Sequence, residues 1–149
     1  MLAYPSLQQL NLSMNKLSQL RAHPKHVAHS PMVALDLSYN MLSGHLPSIF
    51  ATMRELSSLS LRCNFFHGVI PLSYGVKATA NAENMKPLER LMLDGNYLTG
   101  PLPAPFMHVA SMAASFVDNC FESCPRKLTF CQGKNQKAQT LCRLFNSSP

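Results

Sequence analysis

Tryptophan is absent from this 149-residue chain, so no tryptophan-lined ligand pocket exists. Acidic residues are scarce, 7 against 13 Lys and Arg, for a formal net charge of +6. Acidic partners suit that balance, although charge alone says nothing about fold. Charged residues make up only 13% of the chain and hydrophobic ones 46%. That excludes a highly charged disordered chain and leaves enough apolar material for a sizeable core. No apolar run approaches the roughly 20 residues of a membrane-spanning helix, so no transmembrane segment is expected. Met1-Leu2-Ala3-Tyr4-Pro5-Ser6 opens the chain without a basic region, an apolar run or a cleavage site, so no signal peptide is expected there. The length suits one domain and excludes a protein kinase domain or a TIM barrel. No nucleophile elbow, Walker A loop or H-E-x-x-H pair occurs, so neither catalysis nor a cofactor is expected.

What the chain has is repetition. Leu7, Leu10, Leu12, Asn15 and Leu17 form one copy of a spaced pattern. Met32, Leu35, Leu37, Asn40 and Leu42 form the second, and Leu56, Leu59, Leu61, Asn64 and Phe66 the third. Leu88, Leu91, Leu93, Asn96 and Leu98 form the fourth, with a worn fifth at Ala114, Phe116, Asn119 and Phe121. Each copy reads L-x-x-L-x-L-x-x-N-x-L, and four good copies make chance a poor explanation. The asparagines are spaced by 25, 24, 32 and 23 residues. The long interval holds about eight extra residues, placed within Tyr74 to Lys86 and expected to bulge from the convex side or the rim.

A second signature follows three of the asparagines: Leu42-Ser-Gly44-His-Leu46-Pro47, Phe66-His-Gly68-Val-Ile70-Pro71 and Leu98-Thr-Gly100-Pro-Leu102-Pro103. With it the chain, over residues 6 to 121, resembles the plant-type class of extracellular leucine-rich repeats. That class is found in receptor kinase ectodomains, polygalacturonase-inhibiting proteins and cell-wall leucine-rich repeat extensins. The resemblance implies an α/β repeat fold. It would be a right-handed solenoid with a parallel concave sheet and short 3-10 or α turns on the convex side, near Ser48–Glu55 and Ala104–Ser111. Alternate strand residues face the same way, so the paired leucines should point inward. The asparagine column, from Asn15 to Asn119, should be buried and bonded to the backbone of adjacent turns, because a buried amide without partners is costly. Members of the class usually begin with a helical, cysteine-paired cap, which this sequence lacks. The chain is therefore read as a C-terminal piece of a longer secreted protein, with Leu2, Leu7 and Leu10 at an open edge.

Two units are expected: repeats over 1–121 and a cysteine-bearing tail over 122–149. Cys120, Cys124, Cys131 and Cys142 lie in the last thirty residues. This tail looks like the one ending many plant-type ectodomains. Such a cluster points to disulfides and an oxidising, extracellular or cell-surface location; reduced cysteines would instead mean the cytoplasm. Four cysteines allow three pairings. The one adopted nests Cys124–Cys131 inside Cys120–Cys142, and the spacing is not that of a usual zinc ribbon. Cys63 is left as a free thiol. Asn11-Leu12-Ser13 and Asn146-Ser147-Ser148 are glycosylation sequons.

The outward strand positions are the candidate binding surface: Asn11, Asp36, Ser38, Ser60, Arg62, Arg90, Met92 and Asp94, with Tyr39 as an aromatic anchor. A protein, peptide or polysaccharide partner is expected there, a protein or peptide first. The basic tail, with Arg126, Lys127, Lys134, Lys137 and Arg143, would suit an acidic polysaccharide. Nucleic acid is not expected, because no stacking aromatics alternate with these charges. Asp36 and Asp94 stand two repeats apart with no cleft between them, which speaks against a hydrolase pair. His23, His26 and His29 share a segment without a carboxylate, broken by Pro24 and Pro31, so no metal site is expected. The function implied is a non-catalytic recognition module. A cell-wall or cell-surface scaffold, or a fragment of a longer protein, is the alternative.

Overall fold

The structure, a computed structural model, describes residues 5–21, 24–109 and 111–146. In chain order the strands are β1 (Gln9–Asn11), β2 (Ala34–Asp36), β3 (Ser43–His45), β4 (Ser58–Ser60), β5 (Phe65–Gly68), β6 (Arg90–Met92), β7 (Tyr97–Leu98) and β8 (Ala113–Ser115). The helices are α1 (Pro24–Val27), α2 (Leu72–Ala78) and α3 (Gln139–Asn146), with 3-10 turns at Ser48–Thr52, Ala104–His108 and Thr129–Cys131.

Each repeat makes one coil. Its first strand pairs in parallel with the equivalent strand of the next coil, giving a five-stranded sheet in the order β1-β2-β4-β6-β8. The register is one to one: Leu10, Leu35, Leu59, Leu91 and Ala114 form a single row. Leu35, Leu59 and Leu91 are buried, as the alternation requires. Leu10 and Leu12 are only half-buried, although they pack against the same core. The sheet's last bond of each coil is also regular. Leu12 N–H donates to Asp36 O, Leu37 N–H to Ser60 O, Leu61 N–H to Met92 O and Leu93 N–H to Ser115 O.

The asparagines stitch the coils together. Asn64 Oδ1 accepts from Leu42 N at 3.0 Å, and its Nδ2 donates to Leu37 O and Leu61 O. Asn40, Asn96 and Asn119 repeat this arrangement. The expectation of burial fails at Asn15, which is exposed and bonds only to Leu12 O and Ser13 O of its own turn. The ladder takes its burial from the coil on the far side, and no described residue stands there.

A feature not foreseen from sequence is a second parallel sheet, β3-β5-β7, built from the Gly-containing signature. Gly68 has φ +78°, and a Cβ there would lie 2.6 Å from His45 Cδ2. The side chain after the glycine of one coil therefore lies on the glycine of the next. That close approach, as well as the dihedral, requires glycine.

The extra residues of the third repeat are only partly a bulge. Residues 81–84 are exposed, but α2 packs inward with Tyr74 and Lys77 buried. Tyr74 Oη donates to Pro47 O at 2.8 Å. Lys77 Nζ donates to Met53 O and Lys86 O, both at 2.8 Å, and so ties the insertion to the preceding coil. Burial lowers the Lys77 pKa to about 8, against the opposing pull of the Glu55 carboxylate.

The tail continues the solenoid by other means. Phe116 N–H donates to Phe130 O, and Asp118 N–H to Asn135 O, as each coil does to its successor. Gln136 occupies the ladder position: its Oε1 accepts from Asn119 N and Phe121 N, and its Nε2 donates to Phe116 O. Phe106, Phe116 and Phe130 close the core in edge and tilted contacts. Disulfides join Cys120 to Cys142 and Cys124 to Cys131.

Candidate functional site

The concave sheet presents two in-register rows: Gln9, Ala34, Ser58, Arg90 and Ala113, then Asn11, Asp36, Ser60, Met92 and Ser115. Not all the positions expected to face solvent do so. Ser60 is 6% exposed, Ser38 4% and Asp94 7%. Ser60 sits in register between Asp36 and Met92, where a small side chain is shaded by two longer ones. Ser38 and Asp94 lie beyond the strand, where the chain turns into the ladder. These three residues offer little surface to a partner.

Of the four charges on this face, two are already paired. Arg62 Nε and Nη2 both donate to Asp94 Oδ2, at 3.1 and 2.8 Å. Burial alone would lower the Arg62 pKa, but the Asp94 carboxylate outweighs it and raises it further. The other oxygen, Asp94 Oδ1, is buried with no hydrogen-bond partner among the described residues. The Arg62 guanidinium also stands 6.0 Å from the centroid of the Tyr39 ring. Tyr39, Arg62 and Asp94 therefore form one connected group along an edge of the face.

The other two charges are available. Arg90 is exposed and makes no ion pair or side-chain hydrogen bond among the described residues. Asp36 uses Oδ1 to accept from Ser38 N at 2.9 Å, and its Oδ2 has no partner among the described residues. Both line one shallow depression, floored by Ala34, Ser58 and Ser60. Two strand steps separate them by about 10 Å across the sheet, and two residues by about 7 Å along it. The depression can hold an extended chain with an anionic group at one end and a cationic one at the other.

Tyr39 owes its exposure to an unusual backbone. Met14, Tyr39, Cys63, Gly95 and Asp118, each just before a ladder asparagine, all have φ between 52° and 74°. The signal was Gly95 in the fourth repeat, because only glycine takes this conformation freely. The bend pushes the four non-glycine side chains out onto one edge of the face. Cys63 is a half-buried free thiol there, over Gly95.

The remaining positions spread apart. Asn11 is exposed at the first strand, with Oδ1 accepting from Ser13 N and Ser13 Oγ. Asn146 lies on α3, far along the chain and against the second sheet; Ser147 and Ser148 of its sequon lie outside the described residues. His23 also lies outside them. His26 and His29 belong to no group of three metal-ligating side chains among the described residues. In the tail, Lys134 and Lys137 both pair with Asp118, at 2.8 and 3.2 Å. Burial pushes the Asp118 carboxyl up, but these two lysines outweigh it and hold the pKa below the usual range. Arg126 bonds Asn135. The tail's positive charge is thus largely spent within the fold, leaving Lys127 and Arg143.

A family model for the leucine-rich repeat matches residues 32–53 and 87–109. Receptor-like protein 54 of Arabidopsis thaliana is 32% identical, over 66% of this chain and 14% of its own length. The chain therefore spans a small part of that relative. Among solved structures, the BIR2 ectodomain of Arabidopsis thaliana matches with TM-score 0.63 and 31% identity, over 83% of this chain and 59% of that one. The Arabidopsis receptor kinase HAESA, solved with the peptide hormone IDA and the co-receptor SERK1, matches with TM-score 0.63 and 27% identity. That match covers 86% of this chain and 21% of HAESA.

Proposed function

We propose that this chain, a leucine-rich repeat solenoid similar to plant receptor ectodomains, is a non-catalytic recognition module that binds an extended peptide across the concave face. The observation that carries this reading is the depression between Asp36 and Arg90. There, two unpaired opposite charges flank small side chains. Arg90 takes a side-chain or terminal carboxylate of the peptide, and Asp36 takes a cationic group. The Tyr39–Arg62–Asp94 group forms an aromatic edge beside it. HAESA, a structural relative, is solved with a peptide hormone, which supports this class of ligand. The disulfides support an extracellular or cell-surface location. An acidic polysaccharide is less favoured, since most of the tail lysines and arginines already have partners.

Panning a random peptide library displayed on phage tests the reading. Peptides enriched on the wild-type chain should weaken at least tenfold on Arg90→Glu and on Asp36→Lys. They should bind Lys127→Glu and Arg143→Glu unchanged. A library without binders, or binders indifferent to both concave-face changes, would overturn the proposal.

A further inference from the structure

The carboxamide of Asn146 is a clamp. Helix α3 lies against the second sheet, where the Phe145 ring stacks on Tyr97 at 3.6 Å between centroids. One residue later, Asn146 Oδ1 accepts from Gly68 N at 3.3 Å. Its Nδ2 donates to Tyr97 O at 3.0 Å and to Cys142 O at 3.2 Å. Both protons of the amide nitrogen are thereby used, and one side-chain amide spans two strands of the sheet.

The same nitrogen is the acceptor of the sequon Asn146-Ser147-Ser148. Glycosylation would form a bond from Nδ2 to the sugar C1 as the C1–O bond to a lipid-linked diphosphate donor breaks. The diphosphate leaves with the electron pair and one amide proton is lost. A single N–H then remains for two carbonyls. The new carbon, about 1.5 Å from the nitrogen, would stand in place of a proton now pointing at a carbonyl oxygen 3.0 or 3.2 Å away. Carbon and oxygen would be about 1.5–1.7 Å apart on a straight line, far inside the roughly 3.3 Å contact such atoms keep.

We propose that glycosylation of Asn146 and docking of α3 on the second sheet exclude each other, so that this sequon works as a latch for the tail. In the docked chain Asn146 is closed to modification. In a chain modified before docking, α3 cannot seat, and the Tyr97 face that Phe145 covers is exposed. Asn11 differs: it is exposed on strand β1 and its Nδ2 makes no bond among the described residues, so it accepts a glycan in the folded state.

This inference rests on the export proposed above, so the test supplies export itself. The full chain is directed by a cleavable leader into the secretory pathway of a eukaryotic host, and occupancy of each sequon is read by peptide mass spectrometry. Asn11 should be occupied throughout. Asn146 occupancy should be low in the wild type. It should rise at least fivefold in Phe145→Ala, which loses the ring stack, and in the Cys120→Ser/Cys142→Ser pair, which frees the helix. Amide exchange at Gly68 should be faster in any Asn146-glycosylated fraction. Equal occupancy in wild type and both variants would overturn the latch. So would a glycosylated fraction in which Gly68 is protected as in the bare chain.

Discussion

At the first coil Asn15 is exposed and bonds only to its own turn, while at the last Asn119 is fully buried and bonds to Leu98 N, Leu93 O and Phe116 O. The leucines beside them differ in the same way, half-buried at Leu10 and Leu12 against fully buried at Leu91 and Leu93. The repeat residues are alike; their neighbours are not. A coil's burial is supplied by the coils on either side, as expected for a quasi-one-dimensional fold. At the C-terminal side that neighbour is the tail, which reproduces a coil with Phe130, Asn135 and Gln136 and is held by two disulfides.

The sharpest way to break this comparison is the asparagine ladder. Asn96→Ala leaves Phe66 N buried without its acceptor and takes one of two ladder donors from each of Leu61 O and Leu93 O, and should cost about 2–3 kcal/mol. Asn15→Ala should cost less than about 1 kcal/mol. Urea denaturation curves of both variants would check this, and similar losses would contradict the comparison. Next in size is the tail staple. Cys120→Ser with Cys142→Ser opens a bond between residues 22 apart and should cost about 3 kcal/mol, read as a fall in the thermal midpoint. Cys63→Ser, at a free thiol, should change stability by no more than about 0.5 kcal/mol.

Smaller again is Gln136→Ala. It removes the ladder's substitute member and should cost about 1–2 kcal/mol, read as faster amide exchange concentrated in the last coil. The smallest effect expected is a pH dependence from Lys77. Its folded pKa of about 8 lies below its ordinary value of 10.5. Between these values the unfolded chain binds more protons, so this group's contribution makes stability rise with pH from about 8 to about 10.5. Below pH 8 the cost of the buried ammonium is present in full. Lys77→Met should remove the dependence while lowering stability at pH 7 through Met53 O and Lys86 O. An identical pH profile in the two proteins, followed by thermal denaturation, would refute the assignment.

The coils, the concave sheet and the convex 3-10 turns were legible in the sequence because their signals are local and recur. Leucines alternate along each strand, and an asparagine follows at a fixed offset. The second sheet was not legible. The role of Gly68 depends on His45 in the previous coil, and no single repeat carries that information. Gln136 was hidden because it fills the ladder by geometry while departing from asparagine in type and from the repeat in spacing. On the candidate site, Asp36 and Arg90 were identifiable as outward charges. The loss of Ser38, Ser60 and Asp94 to burial, and of Arg62 to Asp94, depends on side chains from neighbouring coils. Lys77 stood in an Ala- and Asn-rich insertion with no pattern to mark it as buried.

The claim that neighbours, and not the repeat itself, set a coil's stability is tested most directly by native-state hydrogen exchange. Leu12 and Leu93 donate equivalent backbone bonds, to Asp36 O and Ser115 O at 2.8 and 2.9 Å. Protection at Leu93 should exceed that at Leu12 by at least a hundredfold, since the first coil opens alone and the fourth opens only with its neighbours. Equal protection at the two amides would contradict it.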